Sequence, residues 1–244
     1  MKISPQELAQ VAAAETPRFD MYSGIHKALR AFMADTLLAV GRMDPLDDAD
    51  LAATGERVLQ LLGFCGAHLA HENAFVHAAI EARAPGASDR IGHEHEEHVA
   101  HIAQLAEMLA ALHRAVPGQR HADAQRLYGA LALFVAGNFE HMHVEETAHN
   151  AVLWARYTDA ELMEIHDALV ASIPPQEMMT VARWMVPFMN PLERFHLLAD
   201  IRAKAPKEAF EAILATARPH LAATEWAKLA RDLGLAPVPG LVAA

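Results

Sequence analysis

The chain has 244 residues, of which 53% are hydrophobic and 21% charged, so it can bury a sizeable core and does not resemble a disordered protein. Its net charge of −11 argues against non-specific binding to nucleic acid or to an anionic membrane. A single cysteine excludes an internal disulfide framework and a cysteine zinc cluster, and a cytoplasmic location is therefore expected. The N-terminus is too polar for a signal peptide, and no apolar run reaches the roughly 18 residues of a membrane-spanning helix.

The elements predicted in chain order are all helices, because Ala, Leu, Glu, Met and Arg dominate and alternating β-branched runs are absent. Gly and Pro residues divide the first part of the chain into four long helices with short joins. These helices span about residues 18–41, 48–85, 88–117 and 120–157. We therefore predict an up-down four-helix bundle over residues 1–157. A capping-box sequence from Thr158 to Glu161 begins a C-terminal layer of shorter helices, residues 158–244, with a kink or helix boundary at Pro187.

Each of the four helices has polar residues in the row of positions that it turns towards the bundle interior. Two helices carry the same unit, His-x-x-x-Glu, in which both side chains point to one spot on one helix face. The inward polar residues that we take as candidate metal ligands are His26, His68, Glu72, His95, His98, His141 and Glu145.

In the second and fourth helices we continue the inward rows past Glu72 and Glu145 at α-helical spacing. They continue with Phe75 in the second helix and with Ala148 in the fourth. His77 and His149 fall beside these rows, and we expect them to be solvated or to lie behind the ligands.

Carboxylates and imidazoles inside a bundle are costly to bury unless they are paired or bound to metal. Counted along the helices at about 1.5 Å per residue, the inward polar residues lie at similar depths. Four or five imidazoles and two carboxylates at one depth are what a two-metal site needs, with the glutamates bridging the ions and the imidazoles in terminal positions. Such donor sets typically hold iron or manganese, so we expect two iron ions, with manganese or zinc as alternatives.

Four segments, in this order, resemble the hemerythrin-like, or HHE cation-binding, family. They are GIHKALR around His26, HLAHENAFVHAAIEARAPG from His68, EHEEHVAHIAQL from Glu94 and HMHVEETAHNAVLW from His141. The resemblance covers about residues 18–157 and implies a four-helix bundle with a non-haem di-iron centre. It also implies that two glutamates bridge the irons and that the ligands include His26, His68, Glu72, His141 and Glu145.

The third and fourth helices depart from the oxygen-carrier pattern of that family. A carrier has two histidines four residues apart in the third helix, whereas here Glu94 lies four residues before His98 and His95 lies three residues before it. In the fourth helix Glu145 follows His141 by four residues, where a carrier has an aspartate one position later. Which third-helix histidine is the ligand stays open: the apolar register favours His98, and depth relative to the fourth helix favours His95.

These departures argue against a reversible oxygen carrier. We expect a protein whose partner is a small diatomic or oxidant ligand, and which binds or senses oxygen, nitric oxide or peroxide, or handles iron. The alternative is a di-iron oxidoreductase that removes peroxide at the same centre, although the sequence offers no dedicated acid or base beyond the ligands. A structural protein with a degenerate site is a third hypothesis, against which the complete ligand set argues.

Three further side chains near the predicted ligands have two interpretations each. Tyr22 lies one turn from His26, and Asn138 lies one turn from His141, so each is a hydrogen-bond partner of a ligand or a buried polar residue at the bundle seam. Cys65 is inert packing or a redox-sensitive thiol. The C-terminal layer carries no chemistry that we identify, and it covers one side of the bundle, forms a homodimer contact or receives a signal.

Overall fold

The computed structural model describes residues 18–235, and every regular element in this range is helical, as the sequence predicts. The helices of the first part are α1 (Ser23–Arg42), α2 (Asp48–His71), α3 (Ala78–Arg83), α4 (Asp89–Arg114), α5 (Pro117–Val144) and α6 (Asn150–Arg156). Those of the second part are α7 (Asp159–Ser172), α8 (Pro175–Met185), α9 (Pro191–Lys204), α10 (Lys207–Ala217) and α11 (Ala223–Asp232). The ends of the two predicted regions, residues 1–17 and 236–244, lie outside the described residues.

Local sequence signals set the helix ends. Asp47 caps α2 by accepting hydrogen bonds from two backbone N–H groups of its first turn. Gly86, with φ of 82°, makes the turn between α3 and α4 in a conformation that other residues rarely adopt. Thr158 and Glu161 form the predicted capping box at the start of α7.

Two π-helical turns interrupt the long helices at the predicted site. One spans Glu72–His77 and joins α2 to α3 without a break, and the other spans Glu145–His149 and joins α5 to α6. A π turn closes its hydrogen bonds over five residues instead of four, so it holds one more residue than an α-helical turn, and such turns are frequent at functional sites. Each turn begins at one of the two inward glutamates.

The extra residues shift the inward rows by one position beyond the glutamates. Val76 is buried where Phe75 was expected, and Phe75 is only half-buried. In the continuous run from α5 to α6, His149 is buried, and Ala148, which α-helical spacing places inward, is exposed. The prediction for Ala148 was therefore wrong, because it carried the α-helical period through a π-helical turn.

Four helices surround the candidate site. Helix α1 packs against α2 and α5, and α4 packs against the same two helices. Their shared core contains buried leucines of the inward rows, such as Leu29, Leu61, Leu112 and Leu131. The polar side chains of the site therefore lie beside a dry apolar core.

The helices from α8 to α11 have a core of their own, and α7 and α8 pack against the first part of the chain. Trp184 of α8 stacks on Phe32 of α1, with ring centroids 4.1 Å apart. Phe210, Ile213 and Leu198 belong to the second core. The helix boundary predicted at Pro187 is present, as a 3-10 turn after α8. Among the described residues no helix is both long and apolar enough to span a membrane.

Candidate metal centre

Six of the seven candidate ligands meet between α1, α2, α4 and α5, in two groups that share both glutamates. In each group one ligand atom per residue lies within 4.8 Å of the others, which is close to the span of two ligands about 2.1 Å from one ion. The first metal group is His26, His68, Glu72 and Glu145. The second metal group is Glu72, His95, His141 and Glu145. Only the His68 side chain is exposed beyond a trace, at 11%.

The two His-x-x-x-Glu units make the short contacts within their own helical runs. His68 Nε2 lies 3.2 Å from Glu72 Oε1, and His141 Nε2 lies 3.3 Å from Glu145 Oε1. These are the i,i+4 neighbours that the sequence spacing predicts. Each unit therefore brings one imidazole and one carboxylate to the same place.

Each glutamate directs one oxygen to each group. Glu72 Oε1 lies 3.6 Å from His26 Nε2, and its Oε2 lies 3.7 Å from His95 Nε2. Glu145 Oε2 lies 3.5 Å from His26 Nε2, and its Oε1 lies 3.4 Å from His95 Nε2. Two carboxylates that each face two sets of imidazoles have the arrangement that a bridge between two ions requires.

The buried polar atoms at this place lack partners within the described chain. All four carboxylate oxygens of Glu72 and Glu145, and Nε2 of His26 and His68, are buried without a hydrogen bond. Buried polar atoms are nearly always paired, because leaving them unpaired costs free energy. A metal cation satisfies this set of oxygen and nitrogen donors, so the residues fit a bound metal.

Without a cation, the negative charges of the two carboxylates repel each other. Burial raises the pKa of Glu72, and the neighbouring Glu145 carboxylate raises it further. Burial opposes ionisation of Glu145 too, but the facing imidazoles of His141 and His95 outweigh it and hold the pKa of Glu145 below its usual value. One carboxylate thus tends to keep a proton where the other is ionised, and a divalent ion removes that conflict.

Acidic side chains outside the two groups orient two of the imidazoles. His26 Nδ1 donates to Glu146 Oε1 at 3.0 Å, and Arg30 holds the same carboxylate through both of its oxygens. His141 Nδ1 donates to Glu94 Oε2 at 3.0 Å. A hydrogen bond of this kind fixes Nε2 as the free nitrogen and makes the imidazole a stronger ligand.

A third imidazole is oriented by an amide. His95 Nδ1 donates to Asn73 Oδ1 at 2.8 Å, so its Nε2 faces inward and lies 3.1 Å from Nε2 of His141. In two neutral rings with both Nδ1 atoms protonated, these two nitrogens present lone pairs to each other. The contact becomes favourable with a cation between or beside them, either a proton or a metal ion, so it is compatible with a bound metal.

His98 is the candidate ligand that belongs to neither metal group. Its ring centroid lies 4.7 Å from that of His141, and its Nδ1 is buried without a partner among residues 18–235. It lines a cleft of about 420 Å³ between α4 and α5, together with Glu94, His101 and His141. The geometry favours His95 as the third-helix ligand. The apolar register of the sequence favours His98, and that stays a prediction, which metal titration can test.

The structure distinguishes between the two interpretations that the sequence leaves open for Tyr22, Asn138 and Cys65. The Tyr22 hydroxyl forms a hydrogen bond with His149 Nδ1 at 3.2 Å, and not with His26, which lies one turn further along its own helix. Asn138 Nδ2 donates to the carbonyl of Phe134 in its own helix, as a polar residue at a helix seam does. Cys65 is buried in the apolar core, and burial raises the pKa of its thiol to about 12, which favours inert packing.

Two histidines that sequence reasoning set beside the rows lie at the centre. His77 is 7% exposed and His149 is 2% exposed, and with Glu145 they form a third group whose ligand atoms lie within 4.8 Å of one another. Their burial excludes the solvated alternative and leaves the alternative that they lie behind the ligands. Each ends a π turn that begins at a glutamate, and α-helical spacing misses His77 because it lies five residues after Glu72.

The described chain therefore holds buried groups of histidine and glutamate that can bind a metal ion. The two larger groups share their carboxylates, and three of their four imidazoles are oriented by hydrogen bonds at Nδ1. Comparison of the chain with family models, curated proteins and solved structures gives no match, so the site is characterised by its own geometry.

Proposed function

We propose that the chain is a hemerythrin-like di-iron protein that binds or senses oxygen, nitric oxide or peroxide. In this proposal α1, α2, α4 and α5 form an up-down four-helix bundle around the metals. The observation that carries it is the pair of glutamates, Glu72 and Glu145, each of which faces both metal groups with its two oxygens. A bundle core with two bridging carboxylates and terminal imidazoles is the donor set of non-haem iron and manganese centres.

The chain's own residues divide the work of holding the metals. His26 and His68 serve one ion, His95 and His141 serve the other, and the two glutamates join them. When bound, the iron pair supplies electron transfer to a small oxidant. The protein positions the ligands, excludes bulk water from the buried carboxylates and leaves a cleft beside His141 through which a small molecule can approach.

Two acidic residues favour the oxidised form of the centre. Glu94 and Glu146 add negative charge behind His141 and His26, and each is within 3.0 Å of an imidazole nitrogen. Burial opposes ionisation of Glu146, but hydrogen bonds from His26 and Arg30 hold its pKa at about 2, so this carboxylate is charged at neutral pH. Negative charge close to iron stabilises the higher oxidation state, which supports a reactive centre over a long-lived oxygen carrier.

Metal analysis and oxygen mixing test the proposal. We expect at least two iron ions per chain after anaerobic reconstitution, and a rapid change in the optical spectrum on stopped-flow mixing of the reduced protein with oxygen, nitric oxide or peroxide. Uptake and release of oxygen under vacuum over many cycles would contradict the non-carrier assignment. A protein that retains no stoichiometric metal would contradict the metal centre, and sustained turnover of peroxide would favour an oxidoreductase.

A further inference from the structure

Two buried imidazoles beside the centre have no part in the proposed function. His77 and His149 are more than nine-tenths buried, and Nε2 of each has no hydrogen-bond partner in the part of the chain that the structure describes. One ligand atom of each histidine and one carboxylate oxygen of Glu145 lie within 4.8 Å of one another, as a group of three donors. An imidazole nitrogen buried without a partner needs an explanation, and here two of them meet beside one carboxylate.

Each of these two rings lies at the end of a π turn that begins at a glutamate. Residues five apart share a face in a π turn, so His77 lies on the same side of its run as Glu72. The second π turn ends at His149, four residues after Glu145. Residues four apart share a face in an α-helix as well, so of the two histidines only His77 depends on the π turn for its inward position.

Contacts with neighbouring rings fix both imidazoles. The His77 ring stacks on that of His95, with centroids 4.7 Å apart and planes 18° apart, and meets His149 edge-on at 5.2 Å. The buried Tyr22 hydroxyl pairs with His149 Nδ1 at 3.2 Å. When Nδ1–H donates to this phenol oxygen, Nε2 of His149 keeps its lone pair, which is how metal-bound histidines are usually held.

We propose that His77, His149 and Glu145 form a third cation position, which takes a divalent first-row metal ion beside the two-metal centre. Two imidazoles and one carboxylate leave coordination positions open, as in mononuclear non-haem iron sites. Glu145 is shared with both metal groups, so the third ion is held next to two others of like charge. Repulsion between the ions makes this the weakest of the three positions.

The inference goes beyond the proposed function, since a third position does not depend on iron being the metal of the first two. It deepens that function by supplying a separate place for an ion next to the pair. The competing explanation is that the two histidines only wall off the centre and bind no ion. In that case their replacement leaves the number of bound metals unchanged.

Zinc is the probe of choice because it has no redox chemistry. The full chain is loaded with zinc under anaerobic conditions, passed through a desalting column and analysed for metal content, and crystals of the loaded protein are measured at the zinc absorption edge. We expect three zinc ions per chain, with one anomalous peak between His77 and His149. The matched variants are His77→Gln and His149→Gln, with the exposed His121→Gln as control.

Each outcome separates the third position from the main centre. Two ions in both variants and three in the wild type and control support the inference, and retention of two ions shows that the variants are folded. Two ions in every protein, with no peak between the histidines, overturns the third position and leaves the proposed centre intact. Fewer than two ions in His77→Gln and His149→Gln also overturns it, because those residues then support the main centre. No bound zinc in the wild type overturns both.

The variant Tyr22→Phe gives an independent measure. It removes the hydroxyl that pairs with His149 and leaves all three donors in place. We expect the apparent affinity for the third zinc ion to fall by about 10-fold, with the first two unchanged, since loss of an outer hydrogen bond typically costs about 10- to 100-fold in metal affinity. Unchanged affinity for all three ions would contradict the role assigned to this tyrosine.

Discussion

The two halves of the molecule bury ionic groups in opposite ways. In the C-terminal helices the guanidinium of Arg194 is 2% exposed, and the chain surrounds it with acceptors. These acceptors are the carbonyls of Val186, Pro187 and Met189 and the carboxylate of Glu225. Between α1, α2, α4 and α5 the carboxylates of Glu72 and Glu145 are buried as deeply, and none of their oxygens accepts a hydrogen bond within residues 18–235.

The contrast teaches where a partner from outside the chain is needed. A fold that satisfies one buried charge with four acceptors is capable of satisfying others. Unpaired oxygens on two neighbouring glutamates, with imidazoles facing them, therefore indicate a cation rather than loose packing. The same comparison predicts that stability depends on metal in one region and not in the other.

The largest expected effect comes from removing a shared carboxylate. Glu145→Ala should lose both metal ions and, in the metal-loaded state, lower the free energy of unfolding by roughly 3 kcal/mol or more. Without metal the loss should be smaller, because the change also removes one of two repelling carboxylates. Metal content and denaturant unfolding with and without metal measure this. Glu107→Ala, on an exposed face of α4, is the matched control, and full metal content in Glu145→Ala would refute the assignment.

Replacing the buried arginine tests the other half of the comparison. Arg194→Met should lower the free energy of unfolding by about 3 kcal/mol, because three carbonyls and one carboxylate lose their donor. The loss should be equal with and without metal, since α9 contributes no ligand. Arg231→Met, at a side chain that is 73% exposed, should change stability little. A metal-dependent loss in Arg194→Met would show that the two regions are energetically linked.

The two third-helix histidines sharpen the definition of the centre. We expect His95→Ala to weaken metal binding at least about 10-fold, because its Nε2 faces both glutamates. His98→Ala should have a smaller effect, since His98 lines the cleft beside His141. Parallel metal titrations of the two variants measure the ranking. A larger loss for His98→Ala would reinstate the ligand that the apolar register of the sequence favours.

The smallest expected effect comes from an acidic residue behind the centre. Glu94→Gln keeps a hydrogen-bond acceptor for His141 but removes its charge, so the reduced iron pair should be favoured and the reduction potential should rise. Spectroelectrochemical titration of the iron-loaded protein measures the potential. Glu97→Gln on the same helix, where the carboxylate is 59% exposed, should leave the potential unchanged. A fall in potential for Glu94→Gln would contradict the electrostatic argument.

Much of the fold was predictable because it depends on local signals. Glycine, proline and capping residues such as Thr158 set the helix ends, and i,i+4 spacing placed each histidine of the His-x-x-x-Glu units beside its glutamate. The order of four long helices then brought His26 to the same level. These features follow from backbone geometry within one helix or from the lengths of neighbouring helices.

The rest depends on contacts that one helix does not determine. Nothing in the segment from Glu72 to His77 announces a π turn, so the row was continued at the wrong period and His77 was placed outside the site. His95 and His98 both face inward, and the choice between them depends on how α4 is set against α2 and α5. The pairing of Glu94 with His141 likewise joins two residues that are 47 positions apart in sequence and lie on different helices.

The two π turns also constrain how the length of this chain can change over evolution. Each turn holds one residue more than an α-helical turn, so loss of a single codon there would restore an α-helical turn and keep the helix that follows on the same face. The ends of the two runs pack on each other, and the Tyr157 hydroxyl donates to the carbonyl of Ala79 at 2.6 Å. A deletion in one turn would therefore leave that contact in place, and we expect the two extra residues to be inherited, or lost, independently of each other.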